Sequence, residues 1–315
     1  MSTTYYEPLV YIVPPEEDGF ILKTILQKRL MVSRKLLSRL KLTEQGITVN
    51  GARQYISIKV KAGDRIEVRM EEEQSEDILP QDLPLHIIHE DEQLLIVAKD
   101  AGIIVHPTHG HYVNTIANAV VYHWQQLGIT CRFRPVHRLD QETSGVLAIA
   151  KNPYVHQQIS EQMIHHEVKK EYLAFVWGRF TEQSGTVNEP IDRDPEQPHI
   201  RIVTPSGYSA VTHYEVVEQY GKAALVRLWL ETGRTHQIRV HMKHLGHPLL
   251  GDKMYTLPEF EDGPAAAEAA ERLSRQALHA ARLGFVHPGT REWTEYNAPL
   301  PADLGDLQSW LRGES

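Results

Sequence analysis

Cysteine is almost missing from this chain: Cys131 is the only one in 315 residues, so neither an intramolecular disulfide nor a Cys-based zinc cage can form. Long apolar runs are missing too, and with no stretch of about 18 apolar residues a membrane-spanning helix is not expected. Met1 to Glu7 carry no basic cluster and no long apolar segment, so no secretory signal is expected. There is no Gly-x-Gly-x-x-Gly fingerprint, no P-loop and no His-Glu-x-x-His pair. Ser144 does not sit in a Gly-x-Ser-x-Gly elbow, which speaks against serine hydrolase chemistry. The expectation is a soluble, cytoplasmic protein that does not use a dinucleotide.

The chain also has fewer basic residues than acidic ones, 33 against 41, for a net charge of −8. Taken alone that disfavours a nucleic-acid partner, but the average hides an asymmetry. Between Phe20 and Met70 twelve Lys or Arg face three acids, a local charge of +9, so the remainder carries −17. A basic first quarter on an acidic chain reads as a separate interaction module. The length suggests about two domains, and a hydrophobic content of 41% is ordinary for a globular protein.

Within the basic segment, Ile21, Ile25 and Leu26 fit one helix. A second follows Ser33 as cap, with Leu36, Leu37 and Leu40 on its apolar face and Arg34, Lys35, Arg39 and Lys41 elsewhere. Gly46 to Gly51 reads as a strand entering an Asn-Gly hairpin turn, and a Gly63-Asp64 turn precedes Ile66 and Val68. Glu71 to Asp77 hold five acids and no base, with Pro80 and Pro84 beyond, and read as an extended, solvated linker that repels RNA.

From Leu85 the pattern is mainly β. Strands are expected at Leu94 to Ala98, Lys170 to Gly178, Thr212 to Val217 and Ala224 to Leu230. Asn152-Pro153 should start a helix to about His166, Thr235 should cap one running to Gly246, and residues 263–275 read as a surface helix.

Three strings carry candidate chemistry. The first is His137-Arg138-Leu139-Asp140-Gln141-Glu142-Thr143-Ser144-Gly145, followed by the aliphatic run Val146 to Ala150: a lone carboxylate on a loop backed by a buried strand. An aspartate in a polar loop is commonly an Asx-turn residue, but one held ionised by a guanidinium can act at a sugar carbon. The second, Thr232-Gly233-Arg234-Thr235-His236-Gln237-Ile238-Arg239, is a turn between strand and helix, with Arg239 about one turn in. Arginine is preferred where a carboxylate is gripped in fixed geometry. The third is Lys170-Glu171-Tyr172, where Tyr172 is by itself one aromatic in an alternating strand. His236, His241, His244 and His247 invite a metal reading, but three-residue spacing drifts around a helix and no acidic partner lies in the segment.

These three strings, in their order along the chain, resemble the RluA family of pseudouridine synthases. Further matches are Gly102 to Pro107, Pro248 to Asp252, and Leu278-His279-Ala280 before Leu283-Gly284-Phe285. One departure is Lys99-Asp100, where relatives commonly have Lys-Pro. The front of the chain is similar to an S4 RNA-binding domain. The resemblance implies an α+β fold, with an S4-like domain over 15–70, a linker over 71–84 and a catalytic domain over 85–312 on a mixed, mainly antiparallel sheet with flanking helices.

It further implies isomerisation of uridine to pseudouridine in RNA without metal or cofactor. Asp140 is then the catalytic carboxylate, Arg239 its charge partner and Tyr172 the ring against uracil, while Arg138 and His137 contact the flipped nucleotide. Arg34, Lys35 and Arg39 would meet phosphates. Large-subunit ribosomal RNA is the first-choice substrate and transfer RNA the second; an RNA-binding assembly factor with secondary or lost catalysis is the alternative. A monomer is expected.

Overall fold

Leucine spacing builds the front of the chain into a small α+β unit. The computed structural model describes residues 4–261 and 263–313. Strand β1 (Leu9–Ile12) is followed by helices α1 (Leu22–Lys28) and α2 (Arg34–Leu40), then β2 (Ile47–Val49), β3 (Ala52–Arg53) and β4 (Arg65–Val68). The four strands order as β1-β4-β2-β3. The Ser33 hydroxyl accepts from the Leu36 N–H at 3.2 Å, the cap read from the sequence. Asn50 and Gly51 both adopt positive φ, 51° and 79°, as a tight primed turn between β2 and β3 requires.

The second unit is a nine-stranded sheet made of β5 (His86–Glu90), β6 (Leu94–Lys99), β7 (Ser144–Ala150), β8 (Lys169–Trp177) and β9 (Ser184–Asn188), then, after a two-stranded arm of β10 (Ile191–Arg193) and β11 (Arg201–Val203), β12 (Val211–Gln219), β13 (Ala223–Leu230), β14 (Leu278–Val286) and β15 (Trp293–Asn297). The order is β5-β6-β7-β14-β8-β13-β12-β9, with β15 on β14. Only the β7–β14 contact is parallel, so the sheet is mixed and mainly antiparallel, as expected. Helices α3 (Ile116–Gln126), α4 (Pro153–Ile164), α5 (Gln237–His244), α6 (Pro264–Arg272) and α7 (Ala302–Arg312) flank it.

The two units share one apolar core: Leu22, Leu26, Leu36 and Leu40 of the front unit cluster with Leu94, Ile96, Val146, Tyr154 and Val155 of the large sheet and α4. Polar bonds fix the seam. Tyr154 Oη donates to Leu30 O at 2.8 Å, and the Gln157 and Gln158 amides donate to Met31 O at 2.7 and 2.9 Å. The acidic stretch after β4 is not simply extended and solvated. Glu73 pairs with Arg39 of α2 and, at 2.6 Å, with Arg134 of the large unit, while Ser75 is buried and accepts from the Phe133 N–H. Clustered carboxylates found clustered guanidiniums, which offsets the self-repulsion that would keep the segment extended.

Candidate active site

Both ends of the Asp140 loop are pinned to β7. Upstream, the Val136 N–H donates to Ala148 O at 3.0 Å and the Ala150 N–H to Arg134 O at 2.8 Å. Downstream, Gly145 has φ +125°, and a Cβ there would lie 2.1 Å from Ala280 O. Only glycine permits that approach, which lets β14 run beside the start of β7.

Beneath the loop lies Lys99, 1% exposed, whose ammonium donates to Asp100 O at 2.8 Å, Ile103 O at 2.7 Å and Gln141 O at 2.8 Å. Burial pushes this lysine down to about 8, against the raising effect of Glu142 and Asp140. The ammonium thus ties the end of β6, the turn after it and the Asp140 loop to one point. The Lys99-Asp100 departure from the family pattern therefore leaves the turn braced. Arg275 supports the same loop, bonding Glu142 O at 3.1 Å and holding Asp303 at 2.7 Å. The carbonyl of Asp140 accepts from the Thr143 N–H at 3.1 Å, a local turn that leaves the side chain to face the cleft.

That cleft, about 680 Å3, is lined by His137, Arg138, Asp140, Lys170, Tyr172, His236 and Arg239 among others. The three strings that lie far apart in sequence thus meet. Arg239 Nη1 is 3.6 Å from Asp140 Oδ2. Its main grip is on another carboxylate: Nε and Nη2 bond Asp252 Oδ2 and Oδ1 at 2.6 and 2.8 Å, and Tyr255 lies 4.8 Å from the guanidinium carbon. Asp252 is fully buried and Arg239 8% exposed. Burial opposes the arginine's charge, but the Asp252 bonds and the Asp140 charge raise its pKa above the ordinary value. Asp252 fixes the guanidinium in orientation, and the remaining nitrogen presents a fixed positive charge to Asp140. The sequence reading had Arg239 pairing with Asp140 and gave Asp252 no role; its only signal was the Leu-Leu-Gly-Asp turn beside Pro248.

Thr235 does not cap α5. His236 takes that position in the left-handed region, φ 58°, with no side-chain cap bond. The turn is held instead by Gln237, whose Oε1 accepts from Thr232 Oγ1 at 2.8 Å and the Arg234 N–H at 2.9 Å. A polar side chain that folds back on its own turn replaces a hydroxyl cap. The helix stops at His244, short of Gly246.

The unusual backbone at His236 aims its ring inward. Nδ1 is 2.8 Å from Tyr255 Oη, and that oxygen already accepts the Arg201 N–H at 2.8 Å. With the phenol proton on Nδ1, the imidazole proton lies on Nε2, 4.0 Å from Asp140 Oδ2. Burial lowers the pKa of His236, overriding the pull of Asp140, so the neutral ring presents an N–H toward the carboxylate.

Tyr172 is buried on β8, its pKa raised by burial and by the Asp140 charge, so it offers a neutral ring. His137 lines the cleft wall. Its Nε2 accepts from the Ala148 N–H at 3.4 Å, its Nδ1 is buried without a hydrogen-bond partner among the described residues, and burial with the nearby Lys170 charge pushes it down to about 3. Arg138 is exposed at the cleft mouth. Arg34, Lys35 and Arg39 are exposed on α2 and do not line the cleft. Two of the remaining histidines of the α5 segment have separate partners: His241 bonds Thr212 and Glu189 O, and His247 stacks on Phe180.

A fold with a loop carboxylate over a mixed sheet, a guanidinium beside it and a buried aromatic wall defines a class, and comparison identifies it. The model of the RNA pseudouridylate synthase family matches residues 93–244. Over 301 residues the chain is 38% identical to YhcT of Bacillus subtilis, an uncharacterised RNA pseudouridine synthase, covering 95% of this chain and 96% of that one. It is 34% identical over 311 residues to the ribosomal large subunit pseudouridine synthase D of Escherichia coli O157:H7, covering 98% and 90%. The solved structure of human RNA pseudouridylate synthase domain containing 1 superposes with a TM-score of 0.57 at 26% identity, covering 74% and 96%. The chain belongs to this family and is an RNA pseudouridine synthase.

Proposed function

We propose that this enzyme converts uridine to pseudouridine in large-subunit ribosomal RNA, with Asp140 as its catalytic carboxylate and no cofactor. The target must leave its stack to enter a cleft of this size, and Arg138 at the mouth takes the space it vacates. The N1–C1′ bond breaks, the uracil turns against Tyr172, and the C5–C1′ bond forms while C5 loses a proton and N1 gains one. Substrate and product are isomers, so no oxidant, reductant or water is consumed. Asp140 acts on the sugar side of the bond. Addition to C1′ and removal of a neighbouring sugar proton both require an ionised carboxylate, and both are served by Arg239 and the His236 N–H.

The single observation that carries this reading is the convergence of Asp140, Arg239 Nη1 and Tyr172 in one cleft, drawn from three distant segments. The ribosomal substrate is supported by relatives named as large-subunit synthases at near full length. The basic front unit, read as S4-like, supplies phosphate contacts through Arg34, Lys35 and Arg39.

The test has two arms. RNA labelled with tritium at uridine C5 should release tritium with the native chain and none above background with Asp140→Asn; full release by the variant would remove Asp140 from the mechanism. Mapping pseudouridine in total RNA with and without the gene should show a large-subunit site lost; loss confined to transfer RNA would overturn the substrate.

A further inference from the structure

Lys170 has no assigned role, and its surroundings are unusual. It sits two residues before Tyr172 on β8, hence on the same face of that strand, and lines the same cleft. Its side chain is partly buried, with Nζ 3.7 Å from where a Cβ on Gly233 would lie, so the ammonium hangs over the Thr232–Thr235 turn. Among the described residues that ammonium makes no hydrogen bond and no ion pair. Glu171 points to the other face, toward Arg227 at 3.5 Å, and Glu231 is engaged by His213 at 2.7 Å. Burial lowers the Lys170 pKa, and no acid counters it.

Lys99 shows what a structural buried lysine in this protein looks like, with three carbonyls around its ammonium. Lys170 has none. A desolvated cation with no counter-charge costs stability, and a fold retains it where a ligand supplies the anion. The cleft lining also carries the guanidiniums of Arg138 and Arg234.

We propose that Lys170 anchors a phosphodiester adjoining the target uridine, so that the strand carrying Tyr172 fixes base and backbone of one nucleotide together. This rests on the reading of the cleft as the uridine site. A lysine serves as a point charge for a phosphate oxygen without demanding bidentate geometry. The two-residue spacing ties the depth to which uracil enters to the position of its backbone. Lys170 is a binding residue here, and Asp140 carries the chemistry.

The experiment uses the full chain and a stem-loop RNA around a uridine mapped as its target. Equilibrium binding is measured for the native protein, Lys170→Met and Lys170→Arg, and tritium release is followed in parallel. Lys170→Met should bind roughly ten- to a hundred-fold more weakly, the range of one charge-assisted contact. Its log–log salt slope should be shallower by about 0.7, one phosphate contact on a single strand. Lys170→Arg should recover most of the affinity.

A neutral methylphosphonate placed at each phosphate flanking the uridine should, at one position, weaken native binding by a similar factor and add nothing to Lys170→Met. The thermal midpoint of Lys170→Met should equal or exceed that of the native chain, because an uncompensated charge has been removed. A lower midpoint with unchanged affinity would assign Lys170 to the fold and overturn the proposal, as would additive losses at every methylphosphonate. Absence of tritium release by the native chain would instead overturn the reading of the cleft, a result the binding arm does not produce.

Discussion

Two arginines of this protein teach opposite lessons. Arg39, on α2 of the front unit, is 58% exposed and pairs with Glu73; Arg239, in the cleft, is 8% exposed and pairs with an Asp252 that is fully buried. The exposed pair sits in high dielectric, is screened by salt and is worth about 1 kcal/mol or less. It can exchange its carboxylate for a phosphate at little cost. The buried pair cannot be exchanged, since breaking it strands a charge away from water. The front unit therefore carries charges that are free to change partners, and the cleft holds charges that are not.

The strongest way to break this contrast is Asp252→Asn. It removes the anchor of Arg239 without touching Asp140, and should cost about 3–5 kcal/mol in denaturant unfolding, with tritium release reduced to near background. Unchanged stability would mean that Arg239 is not held by Asp252. Next is Lys99→Met, which strands the Asp100 and Ile103 carbonyls under the Asp140 loop and leaves Gln141 O with the Gly102 N–H alone; a loss on the order of 3 kcal/mol is expected, with faster hydrogen exchange at Gly102.

His236→Asn comes third, since asparagine tolerates the left-handed backbone. It should slow turnover about ten-fold or more while RNA affinity changes little. The folded-state pKa of His236 lies below its unfolded value near 6.5, so its contribution to stability is present above that pH and is lost as pH falls below it. The acid side of the native stability profile should therefore flatten in the variant, as read from unfolding curves at successive pH values. The smallest effect belongs to the front unit. Arg34→Ala with Lys35→Ala should weaken RNA binding at low salt and reduce the salt slope by about 0.7 per contact, with turnover at saturating RNA unchanged. A loss of turnover there would make the front unit part of the catalytic machinery.

Local chemistry made much of this legible beforehand. Ser33 capped α2, Asn50-Gly51 made its turn and Asn152-Pro153 opened α4, because each is decided by neighbours within a few residues. The aliphatic run behind Asp140 became β7 because a strand buried on both faces has no alternative to a continuous apolar sequence. Thr235 misled because a hydroxyl before a helix is a good cap only if nothing better competes; Gln237, bonded at once to Thr232, Arg234 and Val211, did.

By itself the sequence determined the class of the protein and the three strings that meet in its cleft: one carboxylate on a loop, one arginine near a helix start, one tyrosine on a strand, and a basic front on an acidic chain. Side-chain type and short-range spacing carry that information. Tertiary structure alone decided which carboxylate Arg239 clasps, where the ring of His236 points, why Glu73 folds back onto guanidiniums, and that Lys170 lacks the partners Lys99 has. Those outcomes depend on burial and on contacts between segments many residues apart, where the cost of an unpaired polar group selects one arrangement among several that the sequence alone permits.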